Sequence, residues 1–577
     1  MDLVEEFLEL GKNVTVTNLV ELLRVLRRRI PGRYLPKNLK DLVGIDETDT
    51  KNIGRHFWSW LNKQKWRKML PRPFPVEVVL KDERREVPNY LGTWHLHLPG
   101  DLIHSMYTYD VDLFRDRWLG PPGALEQFWN AQRETEWFKM HPILSNPDVD
   151  LRTHFPILCH GDDADSHRRR SFCVCTIASP LSISRSSWDT RFPLYIVDNT
   201  RALNETFDCL DAWIVHGLCE LQEGSFMDVD VYGRPWARGK HGRICGPYTG
   251  VFVALKGDQK FLQKCLKLTT SATSELVCMY CKAKNHGDLI YTAFGPSAPH
   301  RECLVSNVDF LLEGCRPNSW IRLPGFHLSR VLTDWLHLID LSLIPEVSAS
   351  ALIELTEDDS IWPGDHQDER LRMAFVQFTS ECKRHGVRNR GQIFSVKQMY
   401  PLGKGNYPTL VQKHFNGAEA TVLAKWLKGV TLAVAAANPA SEHCALRASI
   451  FVNLVVMRSA VGRGRNDWCV LKPQNLSLLQ RANFLLHSAL NSLATEAIDK
   501  EVLLWKIRPK IHQIDHLCID QAALMNPLTL STYDDEDFIG KCKGLAMRSD
   551  VRAMGYQTLH RYAAYVCCRW LRQLTGS

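Results

Sequence analysis

The sequence predicts an α/β fold in which a mixed sheet is interrupted by a large, mainly α-helical insertion and preceded by an α-helical N-terminal region. Three observations lead there. Short apolar runs closed by turn residues, the pattern of buried strands, crowd between His154 and Asp258. Helical spacing then dominates for roughly two hundred residues. The chain of 577 residues, 45% hydrophobic and 23% charged, has ordinary globular usage and room for roughly three to four folding units, which excludes a disordered, collagenous or coiled-coil chain and a single small domain.

The elements follow in order. Residues 1–90 read as an N-terminal helical region, because Leu19, Leu22, Leu23, Leu26 and Ile30 recur at helical spacing beside Arg24, Arg27, Arg28 and Arg29. Leu3 to Ile30 is thus one or two amphipathic helices, whose basic side is either a DNA-contacting arm or a solvated face. Pro31, Pro36, Pro71, Pro73 and Pro75 mark boundaries, and residues 91–150, rich in Trp and Tyr, read as a helical lead-in. The core, residues 151–262, begins with His154 to His160 (HFPILCH), a buried strand ending in Gly161-Asp162-Asp163. Ser171 to Leu181 (SFCVCTIASPL) and Phe192 to Val197 (FPLYIV) are the second and third strands. Thr206 to Leu221 switches to helical period, with Phe207, Leu210, Ile214, Leu218 and Leu221 on one stripe. Tyr248 to Leu255 (YTGVFVAL) returns to strand character and runs into Lys256-Gly257-Asp258. Residues 263–500 form the helical insertion, with apolar helices at Val331 to Ile344, Ala418 to Ala437 and Ala445 to Ser459, and residues 501–577 complete the core.

A crossover helix allows the fourth strand to return as a parallel neighbour of the first, which would bring Asp162 and Asp258 together. Neighbouring carboxylates repel and are best tolerated when divalent cations neutralise them. The pair therefore predicts a Mg²⁺ or Mn²⁺ site suited to phosphoryl transfer with two oxygen-ligated metals, and a third acid is needed. Glu536, in the acidic first turn of a predicted helix, is either a capping residue or that acid, and Glu419 is its main rival. Cys278 and Cys281 form a CxxC that can share a tetrahedral Zn²⁺ if two more ligands come from Cys303, Cys315, His327 or His337; two unligated thiols are the alternative. Asp334 and His337, one turn apart, either complete that zinc site or hydrogen-bond locally. His512 and His516 are an i, i+4 pair that reads as ligands or as a satisfied polar patch.

A net charge of +7 is modest for this length, so nucleic-acid contact has to come from local basic patches, with Arg168, Arg169, Arg170, Arg463 and Arg465 as candidates. Glu5 and Glu6 interrupt the start where an apolar leader would lie, and the 18 cysteines are scattered, so reduced thiols in an intracellular compartment are expected. The longest apolar run, Val430 to Ala437 with its flanks, falls short of a bilayer span, which gives the expectation of a soluble protein with no membrane partner.

The order of these motifs, His160-Gly161-Asp162, then Gly257-Asp258 followed by Cys278-x-x-Cys281, then Asp334-x-Leu336-His337, then Pro509-Lys510-x-His512 before Glu536, resembles DDE transposases with an RNase H-like core. The likeness is to CACTA-like and Plavaka-like elements and the Kyakuja, Dileera and Zisupton group, which interrupt the core with a helical, zinc-binding insertion; it spans roughly Leu91 to Leu574. It implies cut-and-paste DNA transposition: hydrolysis at transposon ends, then strand transfer by the freed 3′ hydroxyl. Asp162, Asp258 and Glu536 would be the catalytic, metal-holding acids, Cys278 and Cys281 the zinc pair, transposon-end and target DNA the partners. The resemblance further implies a homo-oligomer and nuclear localisation. Asp163 stands where a second glycine would follow, a departure that adds a ligand or perturbs the metal. With no recognisable N-terminal DNA-binding zinc finger, a truncated or domesticated copy is one expectation, and a catalytically inactive nucleic-acid-binding descendant is the alternative.

Overall fold

Alternating Val76, Val78 and Leu80 face inward while Pro75, Glu77 and Lys81 face out, and that period of two builds a strand where a helical region was expected. This is β1 (Phe74–Lys81), paired antiparallel with β2 (Asn89–Leu96) in a computed structural model that describes residues 59, 61–81, 89–166, 170–236, 238–410, 415–463 and 469–575. The amphipathic stretch Leu3 to Ile30 and the basic candidates Arg168, Arg169 and Arg465 lie outside the described residues. The lead-in is helical as expected after β2, starting with α1 (Pro99–Tyr109).

The core strands fall where the apolar runs placed them. β3 (His154–Asp165), β4 (Ser171–Ala178) and β5 (Phe192–Asp198) form an antiparallel meander; α2 (Asn204–Glu223) crosses over; and β6 (Thr249–Gly257) returns parallel to β3. A two-residue β7 (Val331–Leu332) lies parallel to β6, giving one seven-stranded mixed sheet in the order β1-β2-β5-β4-β3-β6-β7. Every residue of β5 and β6 is buried, because helices cover both faces of the sheet. The helix α2 packs on β6 and β1, while two C-terminal helices introduced below pack on β3 and on β5 and β2.

After β6 come α3 (Gln259–Leu266) and an irregular segment that reaches β7, and then the insertion helices α4 (Ile344–Leu355), α5 (Gln367–Arg384), α6 (Gly417–Ala437), α7 (Glu442–Arg463) and α8 (Pro473–Asp499). The chain returns through α9 (Pro509–His516), α10 (Tyr533–Ala546) and α11 (Met554–Thr575). Two hydrophobic cores result. The sheet core runs on to Leu332, past residue 262 and through Cys278 and Cys281, takes in Cys469, and resumes at Met525; the helical core draws on residues from Trp335 to Ala522 and so includes α9. Among the described residues, three helical stretches are by length and composition apolar enough to cross a membrane: Leu336–Leu355, Gly417–Ala437 and Glu442–Gly462. Polar residues such as Asp340, Lys425 and Asn453 interrupt these stretches, so a count of unbroken apolar runs does not find them. The first is 89% buried inside the protein, which makes it the central helix of the second core.

Candidate metal centres

The register between β3 and β6 sets out the first site. Gly161 pairs with Gly257 and His160 with Lys256, so Asp162, inside β3 and paired with Val174 of β4, lies beside Asp258, the residue that follows the end of the parallel strand β6. Side chains alternate, so the two glycines lie on the opposite face, where the Phe261 ring of α3 rests on them. A Cβ on Gly161 would come within 2.0 Å of that ring, and one on Gly257 within 2.6 Å of it and 2.9 Å of the Gly161 carbonyl. Asp258 draws Phe261 there by capping α3, its Oδ1 accepting the Phe261 N–H at 2.7 Å. The repeated Gly-Asp is thus a packing requirement on one face and an acidic pair on the other.

The acidic face is covered by α10, docked through Asp535. That fully buried carboxylate accepts from Lys256 Nζ at 2.6 Å and Arg191 Nε at 2.7 Å, with His160 Nδ1 at 3.8 Å. Burial alone would raise its pKa, but Arg191, Lys256 and His160 hold it far below the ordinary carboxylate range. Lys256 and His160 sit two residues before Asp258 and Asp162 on the same face, so docking Asp535 carries its neighbour Glu536 to the acids. A second clamp is Asp334, whose Oδ1 accepts the Thr532 N–H at 2.9 Å and Oδ2 the Thr532 hydroxyl at 2.8 Å, just ahead of α10.

Asp162, His337 and Glu536 converge, each offering a ligand atom within 4.8 Å of the others'. His337 Nδ1 is 2.6 Å from Asp334 Oδ2, which turns Nε2 toward Glu536 Oε1 at 3.4 Å, the arrangement in which a carboxylate orients a metal-binding histidine. Burial, a hydrogen bond that the protonated Asp162 carboxyl donates to Glu536, and the charges of Glu536 and Asp258 all push the Asp162 carboxyl up, and burial leads in raising Glu536 as well. These neighbouring acids resist ionising together, and a bound cation would relieve that repulsion. Asp258 adds its charge from beside this trio rather than within the 4.8 Å group.

The second cluster, fully buried, is Cys278, Cys281, His512 and His516, with ligand atoms again within 4.8 Å of one another. Cys281 Sγ lies 3.2 Å from His512 Nε2 and 3.3 Å from His516 Nε2. His516 Nδ1 is 2.7 Å from Asp520, which Arg301 grips bidentately at 2.6 and 2.8 Å. Burial opposes ionisation of Cys278, but a hydrogen bond from Cys281 and the charge of His516 outweigh it and lower its pKa. Burial works against the His516 cation too, yet Cys278 and Asp520 raise that imidazole to about 9. Two thiols and two imidazoles in this proximity match the donor set of a closed tetrahedral zinc site.

Several expectations change. His337 does not join Cys278 and Cys281 but serves the acidic cluster; Cys303, Cys315 and His327 give way to His512 and His516. Asp163 points away from the acids to Lys260 at 2.7 Å and Lys264 at 3.2 Å, so it adds no ligand. Glu419 is the capping residue of α6, accepting from the Asn416 and Arg390 N–H groups, far from the role of third acid. Sequence reasoning also missed Asp535, Lys256 and Arg191; the lysine two residues before Asp258 in an otherwise apolar strand was the available signal. The chain matches no protein-family model, and no curated protein matches it.

Proposed function

We propose that the protein cleaves DNA and joins the freed ends by metal-dependent phosphoryl transfer, as a DDE transposase with an RNase H-like core does. The observation that carries this reading is the meeting of Asp162 and Glu536, 374 positions apart in sequence, beside Asp258 on the adjoining parallel strand and with His337 between them. Antiparallel meander, crossover helix and parallel return, one acid within β3 and one following β6, and a long helical insertion before the third acid are in the order the resemblance requires.

Asp162, Glu536 and His337, with Asp258 alongside, would hold Mg²⁺ or Mn²⁺, which when bound supplies Lewis-acid activation and neutralises the charge of the reacting phosphate. The protein's own groups set the stage. Asp334 fixes the ring of His337, Asp535 fixes α10 through Lys256 and Arg191, and Phe261 on the paired glycines fixes the spacing of the two strand ends. The exposed Lys260 on α3, tied to Asp163, also acts by its charge on Asp258 and Asp162, which puts positive charge within reach of the acids, where a polyanion would approach. Of the basic candidates, Arg170 is held by Asp198 at 3.3 Å and leaves about a third of its side chain to solvent. The Cys278–Cys281–His512–His516 centre would hold structural Zn²⁺. Transposon-end and target DNA as partners, a homo-oligomeric assembly and a nuclear site of action belong to the same proposal.

The test is Mg²⁺- or Mn²⁺-dependent nicking of DNA by the purified full-length protein. Asp162→Asn and Glu536→Gln are expected to abolish it while circular dichroism and melting remain those of a folded protein. Nicking retained by either folded variant refutes the proposal.

A further inference from the structure

The cysteine–histidine centre has an outer layer that is complete on one side only. A histidine that offers one ring nitrogen to a metal carries its proton on the other, and that N–H needs an acceptor. For His516 the acceptor is Asp520, gripped in turn by Arg301. For His512 the nitrogen facing Cys281 is Nε2, which leaves Nδ1, and Nδ1 is buried without a hydrogen-bond partner. The residue preceding Arg301 is His300. Its ring is fully buried, lies 4.4 Å from the ring of His512 at 75°, and has both nitrogens unpartnered. Asp515, on α9 one turn after His512, has Oδ1 bonded to Asn483 at 2.8 Å and Oδ2 buried and open, and its charge acts on His300.

We infer that His300 is the outer partner of His512, accepting the His512 Nδ1–H on one ring nitrogen and donating from the other to Asp515 Oδ2. The inference rests on reading Cys278, Cys281, His512 and His516 as a metal centre. A neutral imidazole has one acceptor and one donor nitrogen, so the four open buried atoms pair off with none left over, an economy that buried polar groups are under strong pressure to reach. The edge-on rings need to turn to align, and a metal bound at His512 Nε2 would leave the imidazole proton on Nδ1, where His300 could accept it. His487, the other buried imidazole on which Asp515 acts, is stacked on Phe294 at 4.1 Å instead. The short turn Pro299–Cys303 then supplies both outer contacts of the centre, Arg301 through Asp520 to His516 and His300 directly to His512. His300 is a positioning residue: it touches no metal and sets the orientation and basicity of the ligand that does.

The experiment uses the full-length protein and three readouts: zinc content, zinc affinity by competition with a chromophoric chelator, and the electronic spectrum of the cobalt(II) form. Wild type is expected to hold zinc at this centre and to give a tetrahedral thiolate–cobalt spectrum. His300→Ala should bind zinc roughly 10- to 100-fold more weakly with the tetrahedral spectrum kept. His300→Gln, whose amide both accepts and donates, should recover most of the loss. Asp515→Asn, which leaves His300 in place, should weaken binding by less, and it carries the comparison if the alanine variant does not fold. Wild-type affinity in His300→Ala or Asp515→Asn, no recovery in His300→Gln, or loss of the tetrahedral cobalt bands in His300→Ala, which would make His300 a direct ligand, each overturns the inference. A wild-type protein that takes up no zinc overturns the centre itself, and it does so before any substitution is made.

Discussion

Gly161→Ala is a one-carbon change that the geometry makes costly. The added Cβ would sit 2.0 Å from Phe261 Cε2, 2.3 Å from Cζ and 2.6 Å from Cδ2, where ordinary contact begins at 3.4 Å, so the ring has to retreat by about 1.4 Å. The backbone of β3 cannot yield instead, because β4 and β6 flank it on both sides. Phe261 is only 4% exposed and belongs to α3, which Asp258 caps, so the retreat displaces the helix and pulls on the Asp258 carboxylate. Overpacking of this kind costs about 1–3 kcal/mol. Phe261→Ala alone leaves a void and costs about 3–5 kcal/mol, but in that background the extra methyl of Gly161→Ala meets no ring. The two substitutions should therefore couple favourably by about 1–3 kcal/mol in a double-mutant cycle. The assay is urea unfolding of the four proteins, followed by a signal that reports the sheet core, because the helical core can melt separately. Equal costs of Gly161→Ala with and without Phe261 would show that the ring does not dictate the glycine, and the packing account of the Gly-Asp pair would fail.

Cys278→Ser with Cys281→Ser should remove bound zinc and lower the melting temperature, since the centre ties the sheet core to α9; unchanged zinc content by metal analysis contradicts this. Glu419→Ala should destabilise the protein by about 1 kcal/mol through loss of the α6 capping box while leaving metal-dependent nicking at its wild-type rate, and a loss of nicking in a folded variant would return Glu419 to the site. A pH effect follows from His443, held between Glu354 at 3.0 Å and Glu496 at 2.7 Å: the bond to Glu354 leads in raising its pKa against partial burial. A raised histidine contributes its full stability below its unfolded pKa of about 6.5 and loses it as pH rises through the folded value, by about 1 kcal/mol or less for a partly exposed pair. Wild type should accordingly lose more melting temperature than His443→Gln between pH 6 and 9, and parallel losses would refute the assignment.

How much was legible depends on sequence distance. The meander, the crossover helix and the parallel return were readable because each is a local pattern: apolar runs closed by turn residues, then a change of period from two to 3.6. The neighbourhood of Asp162 and Asp258 followed from the handedness of one crossover. The β1–β2 hairpin was equally local, but the helical spacing of Leu19 to Ile30 was extended over residues 1–90, and the alternation of Val76, Val78 and Leu80 with Pro75, Glu77 and Lys81 was not counted. His512 and His516 were visible as a pair and still could not be assigned, since nothing in a one-dimensional pattern joins them to Cys278 and Cys281 more than two hundred residues earlier. For His337, the hydrogen bond to Asp334 was legible as one of two alternatives, because the two lie one turn apart, but its place beside Asp162 and Glu536 was not, since those residues are far from it in sequence. Asp535 was hidden by Glu536, the acids of one helical first turn being indistinguishable until the sheet shows which one faces Lys256.

The two candidate centres are joined by a chain of contacts that begins inside the CxxC. Tyr280, between the two cysteines, donates its hydroxyl to the Val331 carbonyl of β7 at 2.9 Å and packs its ring 5.2 Å from that of His516. Immediately after β7, Thr333 gives its N–H and hydroxyl to Gln521 at 3.2 and 3.1 Å, on the turn of helix that continues α9. The next residue is Asp334, which orients His337 and clamps Thr532 at the start of α10. A cysteine–histidine centre that closed around a metal would therefore fix the point where the chain leaves the sheet for the helical core and the helix on which it comes back. The sheet brings Asp162 and Asp258 together by itself, because strand pairing suffices. Glu536 arrives only after an excursion of some two hundred residues, and an acid delivered from so far needs its path pinned at both ends. Asp334 and Asp535 pin the near end, and Tyr280 with His512 and His516 pins the far one.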